Sequence, residues 1–220
     1  MRTLRVTGKG TIKAKPDTTR LSITLCGTYD EYRTALRHSA EDTKILRTEL
    51  KRIGLNKEDL KTVSFDIDTK YDSYQDKYNN YRRRFVGYEY THQLKIEFLS
   101  DNTLLGRILG MLSMSPVDPE FRISFILSDP EEAKNELLGR AVTDAKEKAE
   151  VLSRAAGLRL GEIQSIDYSW GRIDFEFSDV NLCMSPVDRT LEDSRAMDID
   201  IDPDDIQVSD TVTVIWEITE

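Results

Sequence analysis

Two histidines, two cysteines and forty carboxylates bound the reaction chemistry that this chain of 220 residues can hold. His38 and His92 do not readily build a histidine-cluster metal site or a hydrolase that works through an imidazole base. His92 falls on the apolar face of a strand pattern, where a hydrogen-bonded core or interface histidine is expected rather than a catalytic one. Cys26 and Cys183 form no CxxC and no disulfide framework. Cys26 alternates out of phase with Leu21, Ile23 and Leu25, and no neighbouring Lys, Arg or His would acidify it. An inert thiol is expected there. No GxSxG, HExxH, GxGxxG or GxxxxGK[ST] occurs, and Gly8-Lys9-Gly10 alone is too common to count. Phe65-Asp66-Ile67-Asp68-Thr69 is faintly similar to an aspartyl-phosphate motif, but Lys70 stands where that motif has Thr or Val. An alternating strand with solvent-facing Asp66 and Asp68 explains it better. No catalytic residue and no cofactor site emerge.

Two clusters remain. Asp198-Ile199-Asp200-Ile201-Asp202 would place its three carboxylates on one face of an extended chain at ~6.6 Å intervals, close enough to share a hard cation. As a calcium loop it fails: Pro203 replaces the sixth-position Gly and Ser209 the twelfth-position Glu. The expectation is an edge segment with Ile199 and Ile201 inward and Asp198, Asp200 and Asp202 solvated, blocking edge-to-edge pairing. Tyr74, Tyr78 and Tyr81 with Arg82-Arg83-Arg84 combine aromatics and positive charge, the ingredients of a single-strand nucleic-acid platform. A net charge of −9 and no other basic patch argue against that use. A solvated hairpin tip or a protein contact is expected, and no nucleic-acid partner.

The charge excess is local. Between Asp188 and Asp205 there are eight acids and two bases, so residues 188–205 hold −6 of the −9 and read as an acidic internal loop. Residues 71–84 are a second polar insertion, read as a long hairpin tip. No apolar run approaches the ~18–20 residues that span a bilayer, and no apolar leader follows the first residues. These features suggest a soluble cytoplasmic protein with no membrane partner.

The positioning elements follow from periodicity. Residues 4–14 alternate, with Gly8 and Gly10 where a strand bends, and Leu21, Ile23 and Leu25 line the next strand. Tyr32, Leu36, Ser39, Thr43, Leu46, Leu50 and Ile53 form one helical stripe that Gly54 ends. Val63–Thr69 and Val86–Phe98 return to period two. A short helix follows the Ser100-Asp101 cap, and Phe121–Leu127 is a strand. Ser128-Asp129-Pro130-Glu131 starts a second long helix carrying Leu138, Ala141, Ala145, Ala149, Leu152 and Ala156, with Gly157 as its stop. Strands led by Ile163 and by Ile206–Ile218 close the chain.

The order strand–helix–strand–strand thus occurs twice, over about 18–99 and about 121–219, with echoes about 102 residues apart. Arg20-Leu21-Ser22-Ile23 parallels Arg122-Ile123-Ser124-Phe125, and Gly54-Leu55 parallels Gly157-Leu158. An α+β fold is expected, with antiparallel sheets packed on two long helices in two lobes divided as 1–112 and 113–220.

Several segments together resemble the SIMPL-domain family. They are Val6-Thr7-Gly8-Lys9-Gly10 with Pro16-Asp17, Phe85-Val86-Gly87-Tyr88 leading to Ile96, and Ile123 through Asp129. Ala141-Val142-Thr143-Asp144-Ala145 through Ala149, Ala156-Gly157-Leu158, and Val212 through Trp216 complete the set. The resemblance covers nearly the whole chain. It implies a dodecin-like second half and, in at least some members, ring-like homo-oligomers. Members include bacterial oxidative-stress-defence and periplasmic immunogenic proteins, and no catalytic residue is established among them. The reading is a non-enzymatic, self-assembling protein linked to stress tolerance. A small-molecule or cation-binding oligomer and an unrecognised enzyme are its rivals.

Overall fold

A computed structural model describes residues 2–76, 78–168, 176–180 and 201–220. The elements are β1 (Arg2–Ala14), β2 (Thr18–Tyr29), α1 (Tyr32–Arg52), β3 (Lys61–Gln75), β4 (Tyr81–Leu99), α2 (Asn102–Ser113), β5 (Glu120–Ile126), α3 (Pro130–Ala155), β6 (Arg159–Asp167), β7 (Glu176–Val180) and β8 (Ile206–Thr219). The fold is α+β, as expected. β1–β8, β6–β8, β2–β4 and β3–β4 all pair antiparallel.

The elements form two compact units, which do not divide at residue 112. One unit gathers residues 1–17, 126–177 and 203–220, and the other residues 18–125 and 178–202. The reason is the destination of the first strand. β1 pairs with β8 along its whole length, from Arg2 opposite Ile218 to Ala14 opposite Ile206. The three-stranded sheet has the order β1-β8-β6, and the larger one β3-β4-β2-β5-β7. In the first copy of the repeat, the strand before the helix, β2, lies beside the copy's last strand, β4. In the second copy β5 joins the larger sheet, and β1 occupies the corresponding place beside β8.

In the 18–125 unit α1 covers the sheet with the middle of its expected stripe. Ser39, Thr43, Leu46 and Leu50 are buried, whereas Tyr32 and Leu36 at the helix start are exposed and Ala35 is buried instead. Leu21, Ile23, Leu25, Leu94 and Ile96 meet them from the sheet. Fully burying each such side chain is worth ~1.5–3 kcal/mol, so this stripe holds helix to sheet. Both long helices end alike. The Gly54 and Gly157 backbones take φ of +98° and +70°, and the following Leu55 and Leu158 N–H groups donate back to Leu50 O and Ser153 O. Asp129 accepts from the N–H groups of Glu131 and Glu132 at the start of α3, and Asp101 caps α2 in the same way.

In the other unit α3 presents Leu137, Ala141, Ala145, Ala149 and Ser153. The alanines fall where expected. The ends of the stripe differ by one residue, with Leu137 and Ser153 buried where Leu138 and Leu152 were expected, and Ala156 exposed. Gly8 and Gly10 are the counterpart of this stripe rather than bends in the strand. A Cβ on Gly8 would lie 2.1 Å from Ala141 O, and one on Gly10 2.1 Å from Leu137 O. Val6, Val212, Val214 and Trp216 complete the core around the alanines.

Candidate functional site

The chemistry-bearing side chains collect where α1 crosses β4. Thr43, on the buried face of α1, donates its hydroxyl proton to Ser39 O at 2.8 Å. Its oxygen therefore accepts from His92 Nδ1 at 3.0 Å. His92 Nε2 then carries the lone pair and accepts from Thr62 Oγ1, also at 3.0 Å. The Phe65 ring stands edge-on to the imidazole, with centroids 5.1 Å apart. Burial and the nearby Arg47 guanidinium hold the imidazole below its ordinary pKa, so it is neutral at pH 7. His92 is thus the hydrogen-bonded histidine that its position on the strand suggested, joining α1, β3 and β4.

Towards the first turns of α1, Tyr90 donates its hydroxyl to Asp42 Oδ2. Burial, then the Asp42 carboxylate, push the phenol far above its usual range. Tyr29 stacks on His38 at 4.3 Å with nearly parallel rings and lies 6.3 Å from Tyr90. His38 Nδ1 is 3.4 Å from Glu41 Oε2. The Arg47 Nε is buried without a hydrogen-bond partner. The Thr43, His92, Thr62 and Tyr90 protons each have a defined acceptor, which suits a joint between elements. Asp42, Arg47 and Tyr90 carried no motif signal. Asp42 and Arg47 had only the cue of a polar residue beside an apolar stripe, and Tyr90 only its phase with His92 on the same strand.

The remaining candidates are scattered. Cys26 is exposed on the opposite face of the sheet, as its phase predicted. Desolvation, then the Glu120 and Glu89 carboxylates, push its thiol up, the reverse of an activated nucleophile. Asp66 and Asp68 are exposed along β3. Lys70 donates to Glu89, which also accepts from Thr28. Of the aspartates proposed for a cation, Asp198 and Asp200 lie outside the described residues, as does Ile199. Asp202 is exposed, while Ile201 packs against the buried cluster of the 18–125 unit. Among the described residues no group of three or more His, Cys, Asp or Glu could hold a metal ion.

The Tyr/Arg insertion is a hairpin, as expected, but its arginines do not form one patch. β2 leaves β4 at Tyr88, so from Tyr71 to Phe85 only the β3–β4 ribbon continues. Cross-strand pairing sets Tyr71 opposite Phe85, Ser73 opposite Arg83 and Gln75 opposite Tyr81 on one face. The other face carries Asp72 opposite Arg84 and Tyr74 opposite Arg82. At the tip Asp76 accepts from Asn80 N, Arg82 Nε and Tyr78 N, which hold its carboxyl below the ordinary range.

The glycine motif near the N-terminus acts in packing. Because Gly8 and Gly10 let β1 touch α3, the Lys9 N–H reaches Asp144 Oδ2 at 2.6 Å, and Lys148 Nζ donates to the same oxygen at 2.7 Å. These two bonds, Lys148 first, lower the Asp144 carboxyl pKa. Arg140 Nη1 donates to Thr11 O at 2.9 Å. Residues 6–10 and 141–149, two of the segments that carry the family resemblance, therefore meet in one contact, which Thr11 and Arg140 extend.

These features define an α+β protein whose signature residues join helix to strand. The SIMPL family, described as a protein of unknown function (DUF541), matches residues 4–216, and the chain belongs to it. Two curated relatives are the 26 kDa periplasmic immunogenic proteins of Brucella abortus (strain S19) and Brucella melitensis biotype 1. Each is 29% identical over 164 residues, covering 74% of this chain and 65% of the relative. The chain thus spans just under two thirds of the length of these relatives. Their names overturn the expected cytoplasmic setting and point to the periplasm.

Proposed function

We propose that this chain is a non-enzymatic periplasmic protein that works by assembling with copies of itself. The supporting observation is where its exposed apolar side chains lie. β3 is the outermost strand of the larger sheet and leaves Val63 and Phe65 59% and 40% exposed. β6 is the outermost strand of the smaller sheet and leaves Ile163 and Ile166 50% and 51% exposed. Strand edges with apolar side chains are adhesive unless something covers them. Family members that form ring-like homo-oligomers make another copy the natural cover. The link to stress tolerance is supported by the oxidative-stress-defence members alone. Native mass spectrometry of freshly purified protein tests the assembly. A discrete oligomer is expected, and a monomer at tens of micromolar would overturn the reading.

A further inference from the structure

We infer that the β3–β4 ribbon is an arm that inserts its aromatic face into the groove between α3 and β6 of a second copy. This deepens the self-assembly reading and rests on it. Over Tyr71–Gln75 and Tyr81–Phe85 the ribbon has five residues on each strand, a reach of about 17 Å at ~3.4 Å per residue. A two-stranded hairpin alone is marginal in water and needs a partner for its apolar face. This one bears Tyr71, Phe85 and Tyr81 together on one face, with Arg83 among them. Tyr81, near the tip, is 81% exposed. The arm's root is shaped to leave the sheet. Pairing slips by one residue between Lys70 and Tyr71, and Gly87 takes φ +154° with its α-carbon against Tyr29 O, where a Cβ would come within 2.4 Å.

The second partner surface is the α3–β6 groove. Two slips in the β6–β8 register bring Leu160, Ile163 and Ile166 to every third position, opposite Ile218, Trp216 and Val214. Between β6 and α3 a cavity of about 540 Å³ remains, lined by Val142, Ile163 and Trp216 together with Glu150 and Glu162. Lys146 is its one basic lining residue. Charge selects the occupant. From Tyr71 to Phe85 the arm has four basic residues against two acidic ones, on a chain of net charge −9. An aromatic face with a central arginine suits a groove lined by apolar side chains and two glutamates, and both surfaces are present on every copy. Because arm and groove are different surfaces, the contact is head-to-tail and builds a ring or a filament.

The test uses an arm variant, Tyr81→Ser with Phe85→Ser, and a groove variant, Ile163→Asp, in the full chain. Tyr81 is exposed and Phe85 and Ile163 are about half-exposed, and a thermal melt checks that each variant folds. Each variant alone is expected to run as a monomer in light-scattering chromatography. Mixed, they should give a one-to-one dimer and nothing larger, since the arm of one still meets the intact groove of the other. Replacing residues 72–84 by Asn-Gly gives an independent arm deletion and should behave like the arm variant. If the arm variant or deletion keeps the wild-type assembly, or the mixture stays monomeric, this inference falls while self-assembly stands. A monomeric wild type overturns both. Sub-micromolar binding of single-stranded DNA or RNA by the wild type at physiological salt, lost in the arm variant, would give the arm a different occupant.

Discussion

Replacing Gly8 by Ala tests whether the strand–helix contact is as close as its geometry states. The added Cβ would lie 2.1 Å from Ala141 O, 2.4 Å from Ala145 N and 2.7 Å from Ala145 Cβ. Two of these three atoms are helix backbone, so no side-chain rotation relieves the clash. β1 and α3 must separate by about an ångström, which overpacking studies put at ~1–3 kcal/mol. Separation also strains the Lys9 N–H bond to Asp144, which acts in the same direction. The expected loss is therefore ~1–3 kcal/mol, read as a lower urea midpoint with an unchanged slope. Gly139→Ala is the internal control. Gly139 is in the same helix, a Cβ there meets nothing within 4 Å, and the exchange should raise stability by ~0.5–1 kcal/mol. Opposite signs for the two glycines are required. A Gly8→Ala midpoint equal to or above wild type would refute the packing argument.

Ala145→Leu forces a larger side chain into the same contact and should cost ~1–3 kcal/mol, measured by the denaturation midpoint. An unchanged midpoint would count against it. His92 gives a pH dependence with a definite sign. Its folded pKa is depressed, so the unfolded chain binds the extra proton more readily. Its contribution is complete above the unfolded value near ~6.5 and is lost as pH falls through the folded one. Urea midpoints measured from pH 7.5 down to pH 5 should decline, and His92→Gln should flatten that decline. Nitrogen NMR should find the proton on Nδ1. For Asp198, Asp200 and Asp202, sodium and calcium at equal ionic strength should stabilise the protein alike, through screening. A saturable calcium shift in melting temperature that disappears in Asp200→Asn would contradict this.

Much of the secondary structure is legible because local physics sets it. The Gly54 and Gly157 stops, the Asp101 and Asp129 caps and the alternation of β4 all depend on neighbours in sequence. The partner of β1 does not. Its alternating pattern states which face is buried but not against which strand, so the repeat placed β5 where β1 stands. The glycines misled for a related reason. A strand glycine signals either a bend or a close approach, and only the alanines of α3, more than a hundred residues away, decide between them. The candidate site was half readable. His92 sits as its phase suggested, but Asp42 and Arg47 join it only once α1 is laid on the sheet. The arginine run is the converse case. Adjacent in sequence, it is separated by the pleat onto two faces of the ribbon.

The pairing of β1 with β8 also has a consequence in time. A ribosome adds ~5–20 residues per second, and roughly 190 residues separate Ala14 from Ile206, so β1 emerges ~10–40 s before the strand it pairs with. During that interval α1, β2, β3 and β4 can form their own sheet from neighbours already made. β1 remains an unsatisfied edge until β8 arrives. Closing this pair therefore waits for the strand made much later, and Arg2 and Glu220 meet beside it at 2.8 Å. A nascent chain delayed in that step offers its free first strand to the last strand of any finished neighbour, so exchange between chains competes with closure, and slower synthesis or higher local concentration shifts the balance towards it.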